Sequence, residues 1–319
     1  MSASPPNQTP DVISVGIATI DYLAAVRRGS PIERFGRELI ERYGVEGGGI
    51  AATAGVACSR LGLRTAHWGC VGRDEAGEAI IAGLEKEGVS TRQVVRVRKG
   101  RTTVGFVLVD AATGERRLLF YPGTGPLPKL PRFPWSQVKR AKAIVLDAWW
   151  LALSIEVARR AKAAGVPVVA DVTPADYLSG LLAHVDVVFA PRPPELEDVS
   201  AETVAPVLEQ MHRYGPSVVG ITLGAEGCWY SIGAGPMHQP AFSVQVVDTT
   251  GAGDTFHGAI AYGLARGWEA PRTVEFASVV AALKCRALGG RSGIPSLQET
   301  LAFLRSNGSS LWRSSPAKR

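Results

Sequence analysis

Six runs in this chain are apolar along most of their length: VISVGIATI from residue 12, TAHWGCVG from 65, AIVLDA from 143, PVVAD from 167, VDVVFA from 185 and SVVGITLG from 217. A strand with one wet face alternates polar and apolar side chains, so runs without alternation are covered on both faces. The segments between them carry helical features. IAATAGVACSRLG (50–62) is a small-residue helix ended by Gly62, and DEAGEAIIAGLEKEG (74–88) has acids in its first turn and a terminal glycine. SIEVARRAKAAG (154–165) follows the third run. Strand and helix in alternation predict an α/β fold, a central and mostly parallel sheet sandwiched by helices.

One stretch breaks that rhythm. VVRVRK (94–99), TVGFVLVD (103–110), the turn AATGE and RRLLFYPG (116–123) contain no helix and alternate polar with apolar. They read as an antiparallel ribbon with one wet face, a small β-sheet lid over the ligand edge of the main sheet. The lid is expected from about 33–46 and 94–122, inside one domain spanning 11–306, with frayed tails at 1–10 and 307–319.

The chain has the material for such a core. Of its 319 residues 46% are hydrophobic and 20% charged, which excludes a disordered chain or a small disulfide scaffold. Net charge is +6, but Arg305, Arg313, Lys318 and Arg319 lie in a stretch without acids, leaving +2 for residues 1–302. Charge gathered in a tail does not mark a nucleic-acid groove, so no nucleic-acid partner is expected. Cys58, Cys70, Cys228 and Cys285 are far apart and form no CxxC, so reduced thiols in a cytoplasmic protein are expected. MSASPPNQTPD reads as no signal peptide, and no run reaches the roughly 18 uncharged apolar residues of a membrane span.

Chemistry concentrates in FSVQVVDTTGAGDTFHGAIAYGLARG, residues 242–267. Val244 to Val247 read as a strand entering Asp248-Thr249-Thr250, followed by Gly251-Ala252-Gly253-Asp254 and an amphipathic helix. Two glycines at a helix N-terminus let backbone N–H groups approach an anion, and the helix dipole favours negative charge there. A carboxylate beside a bound phosphate repels it unless that carboxylate has a proton to take. Phosphoryl transfer supplies one: the N–H groups stabilise the transferring group while Asp254 accepts the proton of the attacking hydroxyl. On these four residues alone, a tight turn with a dipole-favouring carboxylate is an equal reading. A dinucleotide fingerprint fits less well, because its third glycine position is Phe256, and no GxxxxGK[ST] P-loop occurs.

DTTGAGD (248–254) resembles the C-terminal signature of the ribokinase-like (PfkB) carbohydrate kinases. EGGGIAATAGVACSRLG (46–62) is similar to the family's other signature, paired glycines before a small-residue helix. The order of parts fits over about residues 11–305. The resemblance implies a ribokinase-like fold and an ATP-dependent sugar kinase that transfers the γ-phosphoryl of ATP to a primary hydroxyl of a ketose or furanose-type sugar. It implies Asp254 as general base, with the amides of Gly251, Ala252, Gly253 and Asp254 as anion hole. It places Asp21, closing the first strand, on the sugar hydroxyls, and Gly47 and Gly48 where the sugar lies against backbone. Thr222, Gly224 and Gly227 in ITLGAEG would line the nucleotide, with Ser278 near its base and Arg192 and Glu195 near phosphates and magnesium. Backbone oxygens near Asp248, Thr250, Cys285 and Gly289 match a monovalent-cation loop for K+, and lids of this family pair into homodimers.

Several positions depart from the family pattern. Thr19 and Ala52 stand where the family has sugar-binding asparagines, and Arg192-Pro-Pro-Glu195 keeps only the Glu of an Asn-x-x-Glu. Three segments look closer to the sulfofructose kinases, for which Arg96, Arg98, Lys99 and Arg101 of the lid are the candidate clamp and Trp149 and Trp150 the candidate sugar-edge aromatics. A non-catalytic sugar or nucleotide sensor on the same fold is the alternative from another class. His238 and His257 receive no role.

Overall fold

A computed structural model describes residues 9–26, 39–111, 113–114, 116–124, 133–173, 176–177 and 180–312. The expected tails fall largely outside these residues, as do positions 33–38 of the expected lid. A nine-stranded sheet forms the centre. Its parallel part consists of β1 (Val12–Val15), β4 (Thr65–Gly72), β5 (Val89–Val97), β8 (Ala143–Asp147), β9 (Val168–Asp171), β10 (Val187–Pro191) and β11 (Val218–Thr222). Two antiparallel strands, β12 (Cys228–Ser231) and β13 (Pro236–Gln239), extend one edge, giving the order β13-β12-β11-β10-β9-β8-β1-β4-β5. From β1 the chain therefore builds outward one way through β4 and β5 and later the other way from β8. The boundary between β1 and β8 is a topological switch point, where open α/β sheets hold ligands.

Helices cover both faces. On one, α4 (Leu151–Ala163) and α5 (Ala201–Arg213) bury Leu153, Val157, Val204 and Leu208 against Ile13, Ile144 and Val188. On the other, α1 (Ile50–Arg60), α6 (Ala252–Ala265) and α7 (Ala270–Lys284) pack Ala54, Ala259, Phe276 and Val280 against Val145 and Phe189. The helix read as amphipathic, α6, is buried continuously from Thr255 to Gly263, because it is wedged between the sheet, α1 and α7. Each fully buried Leu, Ile or Phe in these layers contributes about 1.5–3 kcal/mol of transfer free energy. Among the described residues no helix is long and apolar enough to cross a membrane.

The second sheet has the order β3-β2-β6-β7, from β2 (Thr19–Val26), β3 (Arg42–Gly48), β6 (Val104–Asp110) and β7 (Arg116–Tyr121). Its inner face packs Leu23, Val107 and Val109 against Leu288. Three sequence expectations are corrected here. VISVGIATI is two strands: Gly16, at φ +151° and with the Asp147 carboxylate filling the space of a Cβ, turns the chain out of the main sheet. Residues 94–97 belong to β5, the parallel edge of the main sheet, where Val94 packs with the apolar side chains of α2 (Glu75–Lys86) and Val95 against the core on the other face. The small sheet is also mixed, with β2 parallel to β6 and hairpin-type pairing only at β2/β3 and β6/β7.

Candidate active site

The carboxyl ends of the parallel strands deliver the polar groups. Asp147 closes β8 at the switch point and is buried. Its carboxylate accepts from the amides of Ile17 (2.9 Å), Ala51 (3.2 Å) and Trp149 (2.9 Å), tying the exit of β1 and the start of α1 to β8. Burial nonetheless pushes its pKa up to about 7. Asp171 closes β9, Arg192 follows β10, and Thr222 closes β11.

The N-terminus of α6 points into this edge. Gly251 is its N-cap at φ +74°, a left-handed conformation that favours glycine, and a Cβ there would stand 2.6 Å from the Gly290 carbonyl. The Ala252 amide donates to the Thr249 carbonyl at 3.2 Å, closing a turn. Of the four amides expected to form the anion hole, that of Ala252 is thus engaged within the chain. Among the described residues the amides of Gly251, Gly253 and Asp254 remain without a partner, and Ala252 serves the turn that presents them. The stretch 244–247 joins no sheet, because the chain has left β13 and the amides of Val247 and Asp248 bond the Cys285 carbonyl instead.

Asp254 is half-buried in the first turn of α6. Burial raises its pKa well above the ordinary carboxylate value, the charges of Asp171 and Asp21 push the same way, and Arg116 and His257 oppose them. One turn on, His257 is enclosed. Its Nδ1 faces the Gly253 carbonyl (2.8 Å) and Asp171 Oδ2 (3.0 Å), and its Nε2 faces the Phe189 carbonyl (3.0 Å). Both nitrogens meet only acceptors, so both carry a proton and the ring is an imidazolium. Burial alone would lower its pKa, but the Asp171 carboxylate and the two carbonyls raise it to about 9.

Across from α6, Asp21 hangs from the small sheet. It is the third residue of β2, so it belongs to the lid and does not close a main-sheet strand, because Gly16 has already redirected the chain. The Thr19 hydroxyl donates to Asp21 Oδ1 at 2.7 Å. Gly48 on β3 and Gly105 on β6 leave room for this carboxylate: a Cβ would approach it to 1.9 and 2.4 Å. Gly47 makes room for the Arg291 guanidinium, 2.1 Å from its would-be Cβ. These spaces, expected to hold the sugar, are thus filled by the protein's own side chains. Arg291 is buried and donates to the Gly48 carbonyl at 2.8 Å; burial raises the pKa of Asp21, and the Thr19 hydroxyl and the charge of Arg291 act against that rise. Phe120 of β7 meets Trp149 edge-on at 5.7 Å, seating the lid on the loop after β8.

The match to known proteins bears on what this edge does. A model of the pfkB family of carbohydrate kinases matches residues 9–297. The chain belongs to that family. It is 30% identical to the ribokinase of Haemophilus influenzae over 272 residues, 83% of this chain and 89% of that one. It is 31% identical over 303 residues to the ATP-dependent ribose-1-phosphate kinase of Halopiger xanaduensis, covering 92% and 97%. The ribokinase of Arabidopsis thaliana, solved with ribose and ATP, superposes with a TM-score of 0.77 at 25% identity, covering 93% of this chain and 99% of that one. As a PfkB member this protein is an ATP-dependent sugar kinase.

The remaining positions expected from the PfkB pattern separate into two groups. Thr222, Gly224 and Arg192 gather at the ends of β10 and β11, where the Arg192 amide bonds the Thr222 carbonyl at 3.2 Å, and Glu195 follows three residues later. Gly224 has open space around it, and Arg192 and Glu195 are exposed. Gly227 instead serves a tight turn against Gln239, and the buried Ser278 turns its hydroxyl back onto Val274 at 2.9 Å. Arg96 sits on β5, ion-paired with Glu78 at 2.8 Å, and lies outside the lid it was expected to arm. Sequence reasoning passed over Asp147, Asp171, Arg116 and Arg291. His257, three residues after Asp254, did carry a visible signal.

Proposed function

We propose that the protein transfers the γ-phosphoryl of ATP to a primary hydroxyl of a furanose-type sugar, with Asp254 as general base. The observation that carries this reading is a carboxylate of raised pKa in the same helical turn as three unpartnered amides. Asp254 removes the hydroxyl proton as the oxygen attacks, and the amides of Gly251, Gly253 and Asp254 receive the charge developing on the phosphoryl oxygens. Asp21, oriented by Thr19, accepts hydrogen bonds from sugar hydroxyls. The nucleotide lies along Thr222, Gly224 and Arg192, and Glu195 would meet magnesium, which would neutralise phosphate charge when bound. The seating of Phe120 on Trp149 keeps water from competing with the sugar.

A sensor without chemistry gains nothing from a base beside phosphate. Sugar-dependent ADP release across a panel of ketoses, aldoses and sulfofructose separates the two and names the substrate. Asp254→Asn keeps shape and removes the proton acceptor, so turnover falls by about 10²–10⁴ with ATP binding kept. Parent-like turnover would remove Asp254 from the mechanism.

The working form is a cytoplasmic homodimer joined at the lid. Val45, Tyr22, Phe106 and Leu119 are register partners across all four lid strands and each is about half exposed, with Tyr22 stacked on Phe106 at 5.6 Å. A continuous apolar row across a sheet face marks an interaction surface.

A further inference from the structure

The family resemblance implies a monovalent cation held by backbone oxygens near Asp248, Thr250, Cys285 and Gly289, and the Asp248 and Cys285 carbonyls do not fit one. The Asp248 carbonyl already accepts from Lys284 Nζ at 3.0 Å. The Cys285 carbonyl already accepts from the amides of Val247 (2.8 Å) and Asp248 (3.2 Å). Lys284 itself is fully buried in the last turn of α7, without an ion-pair partner within 4.0 Å among the described residues. A lysine is almost never buried this way unless its charge is used.

Its surroundings show the use. The buried Asp248 carboxylate accepts from the amides of Thr250 (2.8 Å) and Gly289 (2.7 Å), so it ties the turn that enters α6 to the loop after α7. The Lys284 carbonyl lies 2.0 Å from the position a Cβ would take on Gly293, which closes the same loop from the other side. An ammonium group has the charge of K+ and nearly its size, and here it rests on a carbonyl expected to ligate that ion. A second cation on this oxygen would meet like charge in a buried place.

We infer that Lys284 supplies the positive charge of this loop from within the chain, so that the enzyme works without a monovalent cation. The activity arm of this inference rests on the proposed kinase reaction; the binding arm does not. Burial lowers the pKa of Lys284 from the ordinary lysine value, and Asp248 acts against that pull.

The first test measures thermal unfolding of the apo protein in KCl, NaCl and tetramethylammonium chloride at equal ionic strength. Coincident melting temperatures are expected, and a rise specific to K+ overturns the inference. The second measures sugar-dependent ADP release in K+-free buffer. An undiminished rate is expected, whereas stimulation by K+ of tenfold or more overturns it. Lys284→Met should lose activity at least tenfold and regain it with K+ or ammonium, turning the enzyme cation-dependent. A folded variant with full activity in K+-free buffer, or one that no monovalent cation restores, refutes the assignment. If that variant does not fold, the two parent measurements decide. If no sugar supports ADP release, the kinase reading fails while the melting comparison still decides the cation.

Discussion

Replacing His257 with Asn removes an imidazolium that the fold holds in its charged form. The pKa of His257 rises from 6.5 to about 9 on folding. Its contribution to stability is therefore complete below pH 6.5, declines as pH rises through that interval, and is gone above about 9. The whole interval corresponds to roughly 3 kcal/mol at about 1.4 kcal/mol per pH unit. With about 2 cal/mol/K of unfolding entropy per residue, that energy shifts the melting temperature by roughly 5 °C. The assay is thermal unfolding of parent and His257→Asn from pH 6 to 9.5. The gap between the curves should be widest at pH 6 and narrow toward pH 9; parallel curves would refute a buried charged His257. Kinetics offer a second signature. His257 favours the ionised form of Asp254 and Asp171 opposes it. The acidic limb of kcat should therefore move to higher pH in His257→Asn and to lower pH in Asp171→Asn. Shifts in the same direction would show that the pair does not act on Asp254 through charge.

In the parent, kcat should rise with pH through an acidic limb near 6, because the base must lose its proton and burial has raised its pKa. Asp21→Ala should weaken sugar affinity tenfold to a hundredfold, the equivalent of about 1–3 kcal/mol for hydroxyls left unpaired, with little change in the melting temperature without sugar. An early-melting variant with normal sugar affinity would assign Asp21 to the lid's own stability instead. Gly105→Ala places a methyl 2.4 Å from Asp21 Oδ1 and should raise KM for the sugar while KM for ATP holds. Light scattering at micromolar concentration should give twice the chain mass for the parent and the monomer mass for Phe106→Glu, which sets a charge in the exposed lid row.

The parts of the fold that were legible from sequence are those where local pattern and tertiary burial agree. TAHWGCVG is apolar along most of its length and is β4 over its whole span, Thr65–Gly72, buried at every position. The reading failed where one residue overrode a pattern. Gly16 divides VISVGIATI because Asp147, remote in sequence, occupies the space beside it. β5 alternates as an edge strand, and alternation does not distinguish an edge from a ribbon. At the site, DTTGAGD was readable because turn glycines and a first-turn acid are local chemistry. The Asp171–His257 pair and the approach of Arg291 to Gly47 depend on tertiary contact, which a single sequence does not carry. Lys284 left one trace, a lysine within the apolar run VVAALKC, whose meaning depends on Asp248, 36 residues earlier.

Glu46, on the lid strand β3, accepts hydrogen bonds from the amides of Arg291 (3.2 Å) and Ser292 (3.3 Å) and from the Ser292 hydroxyl. Two residues before Arg291, the Gly289 amide holds Asp248, which in turn holds Thr250 at the threshold of α6. The lid strand β3 and the turn before α6 are therefore both hydrogen-bonded to the short segment 289–292. A shift of β3 that moved Glu46 would act on residues 289–292 and, through Asp248, on Thr250 beside Gly251. Linkage then requires reciprocity: if bound sugar raises the affinity for nucleotide by some factor, bound nucleotide must raise the affinity for sugar by the same factor. Weakening this connection with Glu46→Gln would shrink both factors together, so the two substrates would bind as strangers.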